Sequence, residues 1–410
     1  MTDVRIQGVG MSHFGRFLDR SLSQIAADAV TEALSDAGVD KSDIQAIFFA
    51  NASQGVVEGQ HLVRGQVVAR NLGLGGIPVV NIENACASSS SALNAAWAYI
   101  ASGQGDVALV LGADKMNSPD RARSFAIFDG AWDVSDPEGS IAKLEELGAV
   151  MQPPANIPPP GQRSVFMDVY ASLARYHMGR FGTTQADIAA VAAKNHAHSA
   201  LNPKAQYRTA MTVDEVLAAR LVSWPLTLPM CAPISDGAAA AVLVSQRKAQ
   251  ELGLGRSIHI AACVQAAGSD RAPEDLDNHI CRRAADRAYE ISGLGPEDVG
   301  VVEVHDATAF AELQQAELLR LCPMGEGGKL ASSGATTLGG RIPINVSGGL
   351  ESRGHPIGAT GLAQIYELVT QLRGEAGPRQ VEGARVALAE NGGGFLGYEE
   401  AAAVITLLQR

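Results

Sequence analysis

Apolar and polar positions along this chain alternate between two periods. Residues 4–9 read as a first strand, and Leu22 to Ala37 carries Ile25, Ala26, Val30, Ala33 and Leu34 at helical spacing before stopping at Gly38. Ile44 to Ala50 reads as a strand ending at Asn51, and Ile77 to Ile82 as a buried strand. A helical pattern follows in Ala92, Leu93, Ala96, Trp97 and Ile100, then a strand over Val107 to Gly112. Strands alternating with helices imply βαβ crossovers and a buried parallel or mixed sheet, so the fold class is α/β. Residues 117–225 break this rhythm with Pro153-Pro154, Pro158-Pro-Pro160 and long helical stretches, and read as an insertion domain lying over the core. The rhythm resumes at Gly237 to Ser245.

The second part of the chain then repeats the first. Asp43 to Asn51 aligns with Asp298 to Asp306, and Cys86-Ala-Ser-Ser-Ser-Ser-Ala-Leu93 aligns with His355-Pro-Ile-Gly-Ala-Thr-Gly-Leu362. Each of the latter pair is followed by a helix and a strand, Val107–Leu111 in one half and Arg385–Leu388 in the other. Duplication of this kind predicts two related halves packed together, residues 1–255 with the insertion and residues 256–410. It places Cys86 and His355 at equivalent helix N-termini, which a pseudo-twofold axis would bring close together.

Composition narrows the class. A chain of 410 residues with 46% hydrophobic and only 5% aromatic content, rich in Ala, Val and 44 glycines, suits close helix–sheet packing. The net charge of −12 argues against a nucleic-acid surface, while leaving room for a local basic pocket for an anion such as a CoA phosphate. Five cysteines (86, 231, 263, 281, 322) without a CxxC spacing predict a reduced chain with no zinc site. No apolar run reaches the roughly 20 residues that span a bilayer. The terminal sequences show no signal peptide and no Ser-Lys-Leu address, so the expected compartment is the cytoplasm.

The candidate chemistry begins at Cys86, at the turn from a strand into a helix. Ser88 to Ser91 supply oxygens for an N-cap, and unpaired N–H groups with the helix dipole would favour a thiolate. By residue type alone, a buried structural cysteine is the commoner reading. A nucleophilic cysteine needs a base, and His supplies one near neutral pH. His305 follows a strand in Val304-His-Asp-Ala-Thr-Ala-Phe310, where it could equally be a satisfied strand-end histidine. His355 sits in Asn345 to Gly361. Gly348-Gly349 and Gly392 to Gly394 read either as turns or as loops that bring N–H donors to an oxyanion. Their joint occurrence in duplicated frames favours the functional reading.

These segments, Asn84-Ala-Cys-Ala-Ser-Ser, Cys231-Ala-Pro-Ile-Ser-Asp-Gly-Ala-Ala-Ala, Val304-His-Asp and Ser347-Gly-Gly-Leu-Glu-Ser-Arg-Gly-His-Pro-Ile-Gly-Ala-Thr-Gly, resemble the signatures of the thiolase superfamily, specifically the sterol-carrier-protein type. The resemblance covers essentially the whole chain. It implies a five-layer αβαβα thiolase fold of two duplicated halves with an inserted loop domain, assembled as dimers or tetramers. It makes Cys86 the nucleophile that takes the acyl group and His355 its base. His305 with His355 would hold a thioester oxygen, and the N–H groups of Cys86 and Gly393 would form a second oxyanion hole. Coenzyme A enters as the substrate thioester, with no cofactor or metal. Ser235 and Asp236 read as supporting structure. Two departures stand out: ordinary thiolases carry a second cysteine where Asn391 stands, and sterol-carrier-type thiolases carry it where Ala307 stands. The remaining Cys86–His305–His355 set is similar to the Cys-His-His arrangement of ketosynthases.

The leading expectation is an acyl-CoA acyltransferase that passes an acyl group from Cys86 to CoA or to a carbon nucleophile. A second is a thiolase-like retro-aldolase acting on a CoA-linked steroid or aromatic side chain with a small zinc-ribbon/OB-fold partner. A third is a non-catalytic acyl-CoA or lipid-binding protein.

Overall fold

The computed structural model describes residues 3–155, 157, 163–253 and 256–410; Met1, Thr2 and the prolines at 158–160 lie outside them. Eleven strands are found among the described residues: β1 (Val4–Met11), β2 (Ala46–Ala50), β3 (Val79–Ile82), β4 (Val107–Lys115), β5 (Leu221–Ser223), β6 (Leu226–Thr227), β7 (Asp236–Ser245), β8 (Ile258–Ala267), β9 (Val301–Glu303), β10 (Val386–Gly393) and β11 (Ala402–Gln409). Nine of them run in the order β3-β2-β4-β7-β1-β8-β11-β10-β9, and β5 with β6 form a separate hairpin.

The duplication is written into this order. Moving outward from the middle, β1, β7, β4 and β2 in one direction match β8, β11, β10 and β9 in the other. The pairings match too: β7 lies antiparallel to β1 and β4, as β11 does to β8 and β10. The next neighbours, β2 on β4 and β9 on β10, are both parallel. Where β3 pairs parallel with β2, Ile344 makes a parallel bridge to Val302 of β9. The two half-sheets are joined through two residue pairs, Arg5 with His259 and Ile6 with Ile258.

Five layers follow. The helix Leu22–Ala37 covers the outer face of the first half-sheet with Ile25, Ala29, Val30 and Ala33. Helix Ile280–Ser292 covers the outer face of the second with Ala284, Ala285 and Ala288. Between the half-sheets lie the helices Ser88–Ala101 and Thr360–Arg373, whose Leu93, Ala96, Ile100, Leu362, Ile365 and Leu368 share one core with both sheets. A central helix is buried nearly all round, so its polar residues need internal partners. Gln364 donates to the Glu390 carbonyl at 2.8 Å, and Glu367 pairs with the buried Arg379 at 2.9 Å.

Among the described residues, the 117–225 segment carries five α-helices and β5, which pairs with β6 just beyond it, and these pack onto Ala307, Phe310 and Leu313 beyond β9. Strand β3 differs from the expected buried strand: Val80 is 43% exposed because β3 is an edge that pairs with β2 alone. No described helix is long and apolar enough to cross a membrane.

The outer helix of the first half sits close enough to β1 that a Cβ on Gly10 would lie 2.5 Å from the Ala33 nitrogen, against immovable backbone. G10A is therefore expected to cost about 1–3 kcal/mol in guanidinium denaturation, as overpacked sites do; an unchanged midpoint would show that this helix is not held as described.

Candidate active site

Strand β3 delivers the chain to a tight turn at Asn84–Ala87. Ala85 has φ +48°, a left-handed conformation that turns Cys86 out at the head of the Ser88–Ala101 helix. The serines do not cap this helix as expected. Its N-cap is Ala87, with no side-chain cap hydrogen bond. Ser88 Oγ donates to the Ala85 carbonyl at 2.6 Å and accepts from Asn84 N–H, while Ser91 Oγ accepts from Asn84 Nδ2. Ser89 Oγ accepts the Leu362 N–H at 3.1 Å, and Ser90 Oγ donates to Asn391 Oδ1 at 2.9 Å. Four buried hydroxyls thus rigidify the turn and tie it to the other half.

The equivalent junction of the second half presents His355. Its N–H donates to Ser235 Oγ at 2.9 Å, and Nδ1 lies 2.7 Å from Thr360 Oγ1. Thr360 Oγ1 gives its proton to the Pro356 carbonyl at 3.0 Å, so Nδ1 must carry the ring hydrogen. Nε2 is then left as a lone-pair base. His305 follows β9, with its backbone N–H on Glu390 Oε2 at 2.9 Å and its Nε2 without a partner. The His305 and His355 rings meet edge to face with centroids 5.2 Å apart. One ligating atom from each of Cys86, His305 and His355 lies within 4.8 Å of the others.

These three side chains, with Gly393, line one cavity of about 310 Å³. Phe128, Phe166, Met167 and Tyr170 of the 117–225 segment form its roof. Gly392 and Gly393 belong to the paired end of β10, opposite Ala403 and Ala402, rather than to a loop. A Cβ on Gly393 would fall 2.5 Å from the Ala87 nitrogen, so glycine lets this strand reach the Cys86 turn. Of the two places expected for a second cysteine, Ala307 brings a methyl group to the cavity, and Asn391 turns its Oδ1 to Ser90.

Two residues singled out with the structural segment 231–240 play supporting parts. Ser235 holds His355, and Asp236 accepts the N–H groups of Phe17, Met116 and Asn117 at 2.8 Å each. Several contributors were missed by sequence reading. Asp114 accepts from Ser53 N–H, Asn51 Nδ2 and Gly358 N–H, joining the two halves beside the site. Glu390, Glu400 and Tyr170 also reach the cavity or its wall. Acidic residues interrupting the apolar runs Val386–Ala389 and Ala401–Leu408 were the available signal.

Electrostatics reverse one expectation. Burial, with the Asp114 and Glu83 carboxylates adding to it, pushes the Cys86 thiol up to about 12. Two amides at the helix start are spent on the turn, Ala87 N–H on the Asn84 carbonyl and Ser88 N–H on that of Ala85, and the Cys86 backbone N–H lowers the thiol by less than burial raises it. Burial, reinforced by His305, holds His355 well below the usual imidazole range, and burial lowers His305 to about 4. The resting site is a neutral thiol beside neutral imidazoles. A neutral thiol facing a neutral Nε2 suits proton transfer in step with attack rather than before it.

A second convergent set, His279, Cys281 and Glu400, lies within 4.8 Å. It is knit by internal hydrogen bonds, with Gln315 Nε2 donating to Cys281 Sγ at 3.5 Å and to Glu400 Oε1 at 3.1 Å. Both convergent sets offer donor atoms of the kinds that bind metals.

Because the thiol stays protonated at neutrality, alkylation of Cys86 by iodoacetamide should be slower at pH 7 than that of a free thiol. It should keep rising beyond pH 9, followed by peptide mass spectrometry. A plateau reached by pH 7 would mean a preformed thiolate and contradict the neutral resting pair.

Comparison with known proteins agrees with this architecture. Residues 4–216 match the family described as thiolase, N-terminal domain, and residues 265–406 match thiolase C-terminal domain-like. The chain is 37% identical over 400 residues to an acetyl-CoA acetyltransferase of Methanothermobacter thermautotrophicus, covering 96% of this chain and 97% of that one. It is 36% identical to sterol carrier protein 2 of Homo sapiens, over 95% of this chain and 69% of that protein. It is 34% identical to the benzoylsuccinyl-CoA thiolase subunit BbsB of Thauera aromatica, over 95% and 94%. Among solved structures, the Ltp2-ChsH2(DUF35) aldolase superposes with a TM-score of 0.77 at 26% identity, covering 99% of this chain and 97% of that one. With two half-sheets in matching order, a helix pair between them and both family domains along its length, the chain belongs to the thiolase family.

Proposed function

We propose that the protein is an acyltransferase acting on CoA thioesters, and that Cys86 carries the acyl group between donor and acceptor. The observation that carries this reading is the convergence of Cys86, His305 and His355 within 4.8 Å on one roofed cavity. Cys86 attacks the thioester or ketone carbonyl while His355 Nε2 takes the thiol proton. The imidazolium so formed donates a hydrogen bond to a substrate oxygen together with His305, whose Nε2 has no protein partner. The N–H groups of Cys86 and Gly393 receive the developing oxyanion of the acyl-cysteine step. Each donor of that kind lowers a barrier by about 3 kcal/mol. The acyl group then passes to CoA, which is thiolysis of a 3-ketoacyl-CoA, or to a carbon nucleophile.

A second reading, carbon–carbon cleavage of a 3-hydroxyacyl-CoA without free CoA, is favoured by the methyl of Ala307 where a cysteine is expected and by the named aldolase among the structural neighbours. That neighbour's name joins it to a DUF35 protein, and a small zinc-ribbon/OB-fold partner belongs to this reading. Cys86 and its base favour the transferase. The protein also works as a homodimer in this proposal: β3 is an open sheet edge, and Leu62, Val63, Val67 and Val80 are exposed around it.

Incubation with acetyl-CoA or a 3-ketoacyl-CoA should add an acyl mass to the Cys86 peptide. C86A should abolish the adduct, and H355A should slow its formation by about 10²–10⁴-fold. Absence of a Cys86-dependent adduct would remove the transferase reading; turnover of a 3-hydroxyacyl-CoA without CoA would install the second. Light scattering should give a dimer mass for the wild type and a monomer for V80K. A monomeric wild type would refute the edge-strand interface.

A further inference from the structure

Acyl transfer to or from carbon needs a group that moves a proton at the carbon next to the thioester, and neither usual cysteine is present to do it. Apart from Cys86 and the two histidines, the cavity is lined by Arg64, Glu83, Tyr170 and Glu400 among titratable residues. Arg64 is bound to Asn51, and exposed Glu83 accepts the Ala85 N–H at 2.6 Å, so each is committed to the rim or the turn. Glu400 is set differently. It stands two residues before β11 and lines the cavity, and the neighbouring cation Arg271 is taken by Glu399 at 2.6 Å. A Cβ on Gly392 would meet Glu400 Cγ at 2.7 Å, so this carboxyl lies against the strand that ends at Gly393.

Resting on the acyltransferase reading above, we propose that Glu400 is the acid/base of the carbanion half-reaction, in place of the second cysteine, with Glu390 as its positioning residue. Every group packed against Glu400 fits that task. Gln315 Nε2 donates to its Oε1 at 3.1 Å and fixes its orientation. Cys281 Sγ stands between the two carboxyls, 3.8 Å from Glu400 Oε2 and 3.7 Å from Glu390 Oε1. His279 Nδ1 accepts the Cys281 N–H, so its hydrogen is on Nε2, 3.6 Å from Glu400 Oε2. Glu390 Oε2 holds the backbone of His305, which couples the pair to the nucleophile's neighbours. Burial raises both carboxyls above the usual range, and for Glu390 the Glu400 charge adds to it.

In thiolysis, Cys86 sulfur bonds to the ketone carbon and its proton passes to His355. The bond between that carbon and its α-carbon breaks, and the electron pair goes to the α-carbon. Glu400 gives its proton there, releasing the two-carbon CoA thioester and leaving the shortened acyl group on Cys86. The resulting carboxylate takes the thiol proton of incoming CoA, whose sulfur attacks the acyl-cysteine. Cys86 leaves as thiolate and recovers its proton from His355. Protons and electrons balance, and every group returns to its starting state.

The test separates carbon acid chemistry from acyl transfer. A CoA thiol ionises near neutrality and leaves with little help, with a pKa of about 8.5 for an ordinary thiol, whereas an α-C–H bond needs a base. Acetyl-CoA and propionyl-CoA are incubated with enzyme in D₂O. Deuterium at the α-carbon and acyl mass on Cys86 are then followed together. E400Q should lower α-exchange at least 100-fold while leaving Cys86 acylation within tenfold of wild type. E400D should restore part of the exchange. Exchange within tenfold of wild type in E400Q overturns the proposal. Wild type that acylates Cys86 but exchanges no α-proton overturns it too. No acylation of wild type defeats the acyltransferase reading itself. If thermal melting shows E400Q unfolded, E400D decides: exchange down at least tenfold with acylation intact supports Glu400, and unchanged exchange overturns it.

Discussion

The structure depends on how closely the two central helix N-termini approach each other. Where the halves meet, Leu362 N–H reaches Ser89 Oγ at 3.1 Å, and a Cβ on Gly361 would fall 2.6 Å from Asn391 Oδ1. A Cβ on Gly358 would lie 2.9 Å from the Asn51 Cα, and one on Gly112 would lie 2.9 Å from the Ala359 Cα. Such contacts leave no side chain to adjust, so backbone geometry alone fixes where Cys86 and His355 stand. Asp114 secures the junction by accepting N–H groups from both halves. Burial raises this carboxyl, and the donors from Ser53, Ala52 and Gly358 offset part of the rise. The alanine, serine and glycine bias of the chain is a consequence of this packing.

That constraint also explains what could be read from the sequence. A duplicated fold repeats its strand–helix junctions, so aligning Asp43–Asn51 with Asp298–Asp306 identified β2 with β9, and aligning the Cys86 and His355 segments identified the paired central helices. Periodicity was sufficient there because buried helices and strands must carry apolar side chains at fixed intervals. It failed for β3, whose Val79-Val80 pair reads as buried although only one neighbouring strand is present. Apolar character does not say how many neighbours a strand has. It failed again for Ser88–Ser91, where residue type suggests a cap and tertiary contacts put the hydroxyls to other uses.

The charge state of the site was the least legible feature, since it depends on long-range burial. A cysteine before a helix suggests a thiolate, but dipolar stabilisation requires amides that are free to point at sulfur. Here the turn takes two of them, and burial outweighs what the Cys86 backbone N–H supplies. Glu400 was hard to read for a related reason, its one signal being an acidic residue directly before the apolar run Ala401–Leu408. It is separated from Cys86 by most of the chain, and nothing in the motif around it marks a cavity wall.

Taken together, the thiol, both imidazoles and the Glu400 carboxyl are held toward their uncharged forms. A neutral thioester can then enter the cavity without stripping water from a resting ion pair, a cost that would fall on substrate binding. In the proposed acyl transfer, charge would appear only as sulfur attacks and His355 becomes an imidazolium, at the moment when N–H donors face a developing oxyanion. Interactions that strengthen only then accelerate the reaction rather than tightening the resting complex. The same burial that makes Cys86 a poor thiolate at rest thus confines its reactivity to a cavity already filled by substrate.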